Sequence, residues 1–197
     1  MAYRLTHGLF GLAAIGFLAS APVFATLSPW YGGANVGFTS GVSGFGSATG
    51  FGVYGGYRFP HRVWRFKPAI EVGYDHFGSM NENDLGGTGY TGTLTGHDIA
   101  VSAVFTYPVM PRLGAYLRAG LADTSVTYTL SGNGVYGSVY DSASASGINT
   151  LFGIGINYRV TRRIGVHAEY RDTGVNSTTG FSSGSISSFL LGATYQF

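Results

Sequence analysis

Between Leu151 and Asp172 the chain reads LFGIGINYRVTRRIGVHAEYRD. Phe152, Ile154, Ile156, Tyr158 and Val160 alternate with Gly153, Gly155, Asn157 and Arg159. After a short charged junction, Thr161-Arg162-Arg163, the residues Ile164, Val166, Ala168 and Tyr170 alternate with Gly165, His167, Glu169 and Arg171. A period of two with unlike faces predicts two strands joined as an antiparallel hairpin. The polar face carries glycines and single charges instead of the Lys/Glu carpet of a solvated sheet. Apolar residues outside and polar residues inside is the inverted pattern of a membrane-spanning β-barrel.

The same alternation recurs in segments of about ten residues, the length a tilted strand needs to cross an outer membrane. The predicted strands are 30–39, 49–59, 66–76, 93–107, 113 to about 128, 151–160, 164–172 and 185–197. Turns after the second, fourth and sixth are short. The connections after the odd-numbered strands are longer: 40–48, 77–92, about 129–146 and 173–184. The expected fold is all-β, an eight-stranded antiparallel up-and-down transmembrane β-barrel, with its short turns facing the periplasm.

Charge sorts with the connections. Ten of the eleven Lys/Arg lie beyond Ala25, and eight of these sit at or beside short turns: Arg58, Arg62, Arg65, Lys67, Arg112, Arg159, Arg162 and Arg163. Of the nine acids, Asp75, Glu82, Asp84, Asp98, Asp123, Asp141 and Asp172 fall toward the long connections. Avoidance of an apolar band explains charges at strand ends but not this split of sign. Trp30, Tyr57, Phe59, Tyr107, Tyr158, Tyr195 and Phe197 gather near the predicted membrane edges, as an interfacial girdle does.

Composition changes the picture in three places. The first 25 residues have Arg4 and His7 ahead of a twelve-residue apolar core, Gly8 to Ala19, then Pro22 and Val23-Phe24-Ala25. This is the pattern of a secretory signal peptide, residues 1–25, preceding a barrel domain, residues 26–197. The apolar core is short of the roughly 20 residues a membrane helix needs. With 10% charged and 15% aromatic residues and 33 glycines, the chain is poor in charge for a soluble surface. The absence of Cys fits an exported protein that folds without disulfides. A net charge of +2, with no basic run interleaved with aromatics, gives no reason to expect a nucleic-acid partner.

FGVYGGYRF (Phe51 to Phe59), PAIEVGYDHFGSM (Pro68 to Met80), the Tyr107-Pro108 turn, LGAYLRAGLAD (Leu113 to Asp123) and FGIGINYRVTRRIGVHAEYRD resemble successive strands of the outer-membrane protein A-like barrel family. The resemblance covers nearly all of the chain after the signal segment. It implies the outer membrane of a Gram-negative bacterium, with lipid and lipopolysaccharide around the barrel. It also implies recognition by the barrel assembly machinery, for which Tyr195 and Phe197 match an aromatic-ended signal. Larger members of the family carry a peptidoglycan-binding domain after the barrel. The chain stops at Phe197, so a wall-tethering role is not expected to be inherited.

Parity places Glu71, Arg118, His167 and Glu169 on inward faces, where they are candidates for a buried ion-pair network; Asn35 and Asn157 face the same way. In the family, positions matching Glu71 and Arg118 belong to such a network. An internal lysine is replaced here by Val104 and an internal glutamate by Asn157, so a thinner network is expected. Slipping a strand by one residue would turn its charge to lipid, at about 2–4 kcal/mol for Arg at mid-depth. A gate across a narrow pore is the functional alternative, but eight strands enclose a space that side chains alone can fill.

Other motifs weigh less. Gly50-Phe51-Gly52-Val53-Tyr54-Gly55 matches a dinucleotide fingerprint by letter but lies within a strand with no helix after it. Inward glycines make room for large neighbours instead. His167 and Glu169 are two members of a hydrolytic triad without an evident Ser on their face, so no enzyme is expected. Asp75-His76 and His97-Asp98 flank one connection. They are read as solvated rim residues in preference to a metal or proton site, since a third ligand is lacking. Asn176-Ser177-Thr178 is a glycosylation sequon by letter only. No cofactor or metal is expected.

The functional expectation is a monomeric surface protein that supports envelope integrity and presents four loops outward. Adhesion or evasion of host defence, through a host-surface ligand, is the specialisation the family resemblance permits. A narrow channel for ions or small solutes is the alternative. A soluble lipocalin-like binder, the third reading, requires the opposite orientation of the two faces.

Overall fold

The computed structural model describes residues 28–40, 46–82, 89–134, 137–175 and 184–197. The signal segment and its cleavage site, and the Asn176-Ser177-Thr178 sequon, lie outside the described residues. The strands are β1 (Trp30–Ser40), β2 (Ser47–Arg58), β3 (Lys67–Glu82), β4 (Tyr90–Pro108), β5 (Leu113–Gly134), β6 (Gly137–Arg159), β7 (Ile164–Val175) and β8 (Gly184–Gln196). Each pairs antiparallel with the next. β1 also pairs with β8, from Tyr31↔Gln196 to Ser40↔Ser187, which closes the barrel. Among the described residues no helix is long and apolar enough to cross a membrane.

The faces follow the alternation. Val36, Val53, Val72, Ile99, Leu117, Phe152 and Leu191 each keep roughly half of their surface exposed, while the inward neighbours Asn35, Glu71, Asp98, Arg118 and Leu151 are buried. A continuous wall of exposed aliphatic and aromatic side chains has no place in water but matches a lipid solvent. A lipid-soluble photoactivatable probe is therefore expected to label Val166 and to spare His167. Equal labelling, or the reverse, would restore the lipocalin-like reading.

The lower connections are tight. Val63 and Phe66 exchange backbone hydrogen bonds of 3.1 and 3.0 Å below β2 and β3. Thr161 Oγ1 accepts from the backbone N–H of Arg163 at 3.2 Å and of Ile164 at 2.9 Å below β6 and β7. Below β4 and β5, Val109 and Met110 donate to the Leu113 carbonyl at 3.0 Å each.

The upper ends differ from the sequence-based expectation. The long Ser/Gly/Tyr-rich connection expected to run to about Ser146 is a continuation of β5 and β6, which stay in register up to Gly134↔Gly137. Part of the polar connection expected at 77–92 is likewise strand, with Asn81↔Thr93 and Glu82↔Gly92 still paired. Ser, Thr, Ala and Tyr are compatible with a ladder once a partner supplies its hydrogen bonds, and here the partner decides more than composition does.

One irregularity changes the face. Pairing of β3 with β4 skips a residue between His76↔His97 and Gly78↔Gly96, and Gly78 has φ +81°. This β-bulge carries Met80 inward, where strict alternation from Asp75 would have turned it to lipid. Met80 then packs with Ala48, Phe77, Leu94, Val126 and Ile186 in an apolar cap inside the upper barrel.

Candidate functional site

The inward residues stack in three layers. The middle layer is polar and is joined into one network from five strands. From β5, the Arg118 guanidinium donates Nη1 to Glu71 Oε2 at 2.5 Å and to Ser102 Oγ at 2.9 Å. Its Nε and Nη2 donate to Glu169 Oε1 and Oε2 at 2.9 and 3.2 Å. From β7, Arg171 donates Nε to Glu169 Oε1 at 2.8 Å and Nη1 to Asp75 Oδ2 at 2.5 Å. Tyr31 OH on β1 donates to Glu71 Oε1 at 2.6 Å, and Tyr116 OH to Glu169 Oε2 at 2.8 Å. Glu169 is 1% exposed, and Arg118, Arg171, Glu71 and Asp75 are all buried. Such charges are tolerable out of water only because the forks of two arginines satisfy most of the carboxylate lone pairs.

Small residues make the space. A Cβ on Gly153 would lie 2.7 Å from Glu169 Oε1, and one on Gly192 would lie 2.4 Å from the His167 ring. Inward glycines of β6 and β8 are thus occupied by the long side chains of β7, which is why the alternation reads large against none.

Of the residues singled out in the sequence, Glu71, Arg118 and Glu169 come together. His167 does not join their ion pairs. Its Nδ1 is 3.5 Å from Tyr54 OH, which in turn lies 2.6 Å from Thr194 Oγ1. Asn35 is buried beside Gly52 and Asp75, and among the described residues no hydrogen-bond donor reaches its Oδ1. Asn157 lies lower, at the short-turn end of the barrel. Val104 packs against Tyr31, Ala69 and Tyr116, an apolar patch at the lower edge of the network. The network is wider than the residues singled out: Arg171 and Asp75 extend it upward, and Tyr31 and Tyr116 seal its flanks. Parity would have found them, since Arg171 is two residues beyond Glu169 and Asp75 four beyond Glu71 on the same faces.

The rim reading of Asp75 and Asp98 is also corrected. The two are cross-strand partners, both inward, and Asp98 is 0% exposed. Among the described residues no side-chain donor reaches either of its carboxylate oxygens. His97 faces outward against Tyr74, with ring centroids 5.9 Å apart. Among the described residues no group of three or more His, Cys, Asp or Glu is arranged to hold a metal.

Below the network a cavity of about 50 Å³, lined by residues including Tyr54, Glu71, Arg118 and His167, has room for a few waters. Above it the void beside Asp75, Phe77 and Arg171 shrinks to about 10 Å³, and the apolar cap follows. The layers therefore interrupt the lumen twice, once with ion pairs and once with hydrocarbon. Chemically, this arrangement neutralises charge and fixes register.

Residues 10–197 match the family described as "Outer membrane protein beta-barrel domain". Outer membrane protein A of Escherichia coli O157:H7 is 28% identical over 175 residues, covering 82% of this chain and 45% of that protein. The chain spans about half the length of the curated relatives it matches. Among solved structures, Neisserial surface protein A superposes with a TM-score of 0.58 at 18% identity, over 88% of this chain and 100% of that one. The outer membrane enzyme PagL superposes with a TM-score of 0.52 at 17% identity, over 85% and 99%. At such identities these two structures speak for the fold alone. With a closed eight-stranded barrel, a lipid-compatible wall and a match across nearly its whole length, the chain belongs to the outer membrane protein β-barrel family, as an outer membrane protein A-like barrel of the Gram-negative outer membrane.

Proposed function

We propose that this barrel is a non-enzymatic surface protein that supports envelope integrity as a rigid plug in the outer membrane and carries its specificity on its extracellular connections. The observation that carries this reading is the doubly interrupted lumen. Among the described residues an ion-pair layer and an apolar cap, each built from several strands, lie across the lumen, which supports a plug over the narrow-channel alternative. Among the described residues the hydroxyl within hydrogen-bond reach of His167 is the Tyr54 phenol, and no Ser or Thr hydroxyl bonds to it, which supports the non-enzymatic part. Residues 1–25 are read as the export signal, and Tyr195 and Phe197 as the terminal signal for barrel assembly. Lipopolysaccharide is the natural neighbour of the upper wall. A closed barrel with no unpaired first or last strand suits a monomer.

In planar bilayers the refolded, inserted protein is expected to be electrically silent. Steady discrete openings that change in Arg118→Ala would replace the plug with a gated path.

The surface role is placed on the β5–β6 hairpin, which extends furthest beyond the shared barrel. It presents Tyr140, 81% exposed, on a ladder of Ser, Ala and Thr suited to adaptable polar contacts. Deleting 129–142, which are paired Thr129↔Ser142 at the cut, is expected to leave the barrel folded and to abolish binding to host cells. Unchanged binding would remove adhesion from this hairpin.

A further inference from the structure

The periplasmic mouth has a charge pattern that the plug does not require. One recess of about 120 Å³ is lined by Arg58, Lys67, Arg159, Arg162 and Arg163, with Thr106, Asn157 and Gln196 among its neutral members. A second, of about 290 Å³, shares Lys67, Thr106, Asn157 and Arg159 with the first and adds Arg62 and Arg112. The shared walls make them one vestibule with seven cationic side chains. Among the described residues no acidic side chain lines either recess. The four ion pairs found among the described residues all belong to the lumen network and involve none of these seven. What holds them is neutral: Arg58 donates to Gln196 Oε1 and lies 4.7 Å from the Tyr31 ring centroid, and Arg163 Nη1 donates to Tyr195 OH at 3.2 Å.

Seven like charges around one opening repel one another, and a multivalent anion seated among them relieves that repulsion. Six of the seven are arginines, whose planar forks suit the oxygens of a phosphate.

The surroundings choose the source of that phosphate. On the outer wall at this level, Trp30 stacks edge-on to Tyr57 with centroids 5.0 Å apart, and Tyr57 to Phe59 at 5.4 Å; aromatic rings of this kind mark headgroup depth. The turn tips beside the vestibule expose apolar side chains: Val63, Val109, Met110 at 62% and Trp64 at 83%. Trp64 adopts φ +56°, a left-handed conformation that a bulky residue rarely takes. Apolar tips around a cationic recess fit a lipid, with acyl chains against the tips and wall and the headgroup in the recess. They do not fit a freely soluble anion.

We propose that the periplasmic mouth is a binding site for the phosphate headgroup of an anionic phospholipid of the inner leaflet, held by Lys67, Arg159 and Arg162 with Arg58 at its base. Protein extracted from outer membranes and exchanged into nanodiscs of mixed phosphatidylcholine and phosphatidylglycerol provides the test, with retained lipid identified by native mass spectrometry. Phosphatidylglycerol is expected to be retained in preference to phosphatidylcholine. The triple variant Lys67→Gln/Arg159→Gln/Arg162→Gln should lose that preference by roughly fivefold per charge removed. Arg65→Gln, whose guanidinium lies over the Tyr107 ring outside the vestibule, should keep it. Should the triple variant fail to fold, a fall of the wild-type preference with rising salt reports the same electrostatics. Equal retention of the two lipids, or a preference unchanged in the folded triple variant, overturns the proposal. Displacement of phosphatidylglycerol by millimolar inorganic phosphate overturns it too, by making the site one for a free anion.

Discussion

Arg118→Ala is expected to lower the unfolding free energy by about 3–5 kcal/mol, the range for breaking a buried ion pair from one side. Arg118 is the only link between Glu71 and Glu169 in the described network. Without it Glu71 keeps the Tyr31 hydroxyl as its side-chain hydrogen-bond partner among the described residues, and Glu169 keeps Arg171 and Tyr116. One carboxylate is thus left buried with a single donor. Urea unfolding in lipid vesicles, followed by the shift between folded and unfolded bands in unheated gels, measures the loss. Arg118→Lys should recover only part of it, because an ammonium cannot span Glu71 and Glu169 with a fork. The quintuple change Glu71→Gln/Asp75→Asn/Arg118→Met/Glu169→Gln/Arg171→Met removes both arginines and all three carboxylates paired with them, and should be milder than Arg118→Ala alone. If Arg118→Ala costs less than about 1 kcal/mol, the range of an exposed pair, the network is hydrated in the membrane and is not a plug.

Gly78→Val is expected to be the second large effect, at roughly 2–4 kcal/mol, from two separate causes. A β-branched side chain pays for φ +81°, about 1–3 kcal/mol, and its Cβ would lie 2.4 Å from the Thr49 carbonyl oxygen and 3.0 Å from Ala48 Cβ. Neither backbone nor methyl can swing aside. The chain's alternative is to abandon the bulge, which restores strict alternation and turns Met80 toward lipid, emptying the apolar cap. Gly165→Ala is the control, since its Cβ would meet only the Tyr158 carbonyl at an ordinary 3.5 Å. A stability equal to wild type in Gly78→Val would mean that the bulge does not set the face of β3. A cysteine at position 80, reactive toward a lipid-phase reagent only in Gly78→Val, would report the flipped face directly.

Both effects reside where local pattern stops being informative. Glu71, Arg118 and Glu169 are legible as inward charges because each sits between outward aliphatics in a period of two. The pairing of Arg171 with Asp75 is not, because the partners are 96 residues apart and their meeting depends on the stagger with which eight strands close. Asp98 misleads for a related reason. Proximity to a long connection made it look like a rim residue, but β3 and β4 run on above it and carry the lumen with them. Ser- and Gly-rich stretches such as 137–146 conceal strand for the same reason, since their propensity is weak and their pairing is supplied from across the hairpin.

The sequence by itself determined the class of the fold, the number of strands, the lipid-facing wall and the sorting of positive charge to the short turns. Each of these is a local alternation or a local excess of charge, and lipid enforces it residue by residue. Only the tertiary structure decided which inward charges share a hydrogen bond, how far the strands extend, and that one skipped residue at Gly78 exchanges polar filling for an apolar cap. Those features depend on barrel closure and on cross-lumen distances, which a pattern of period two carries no information about.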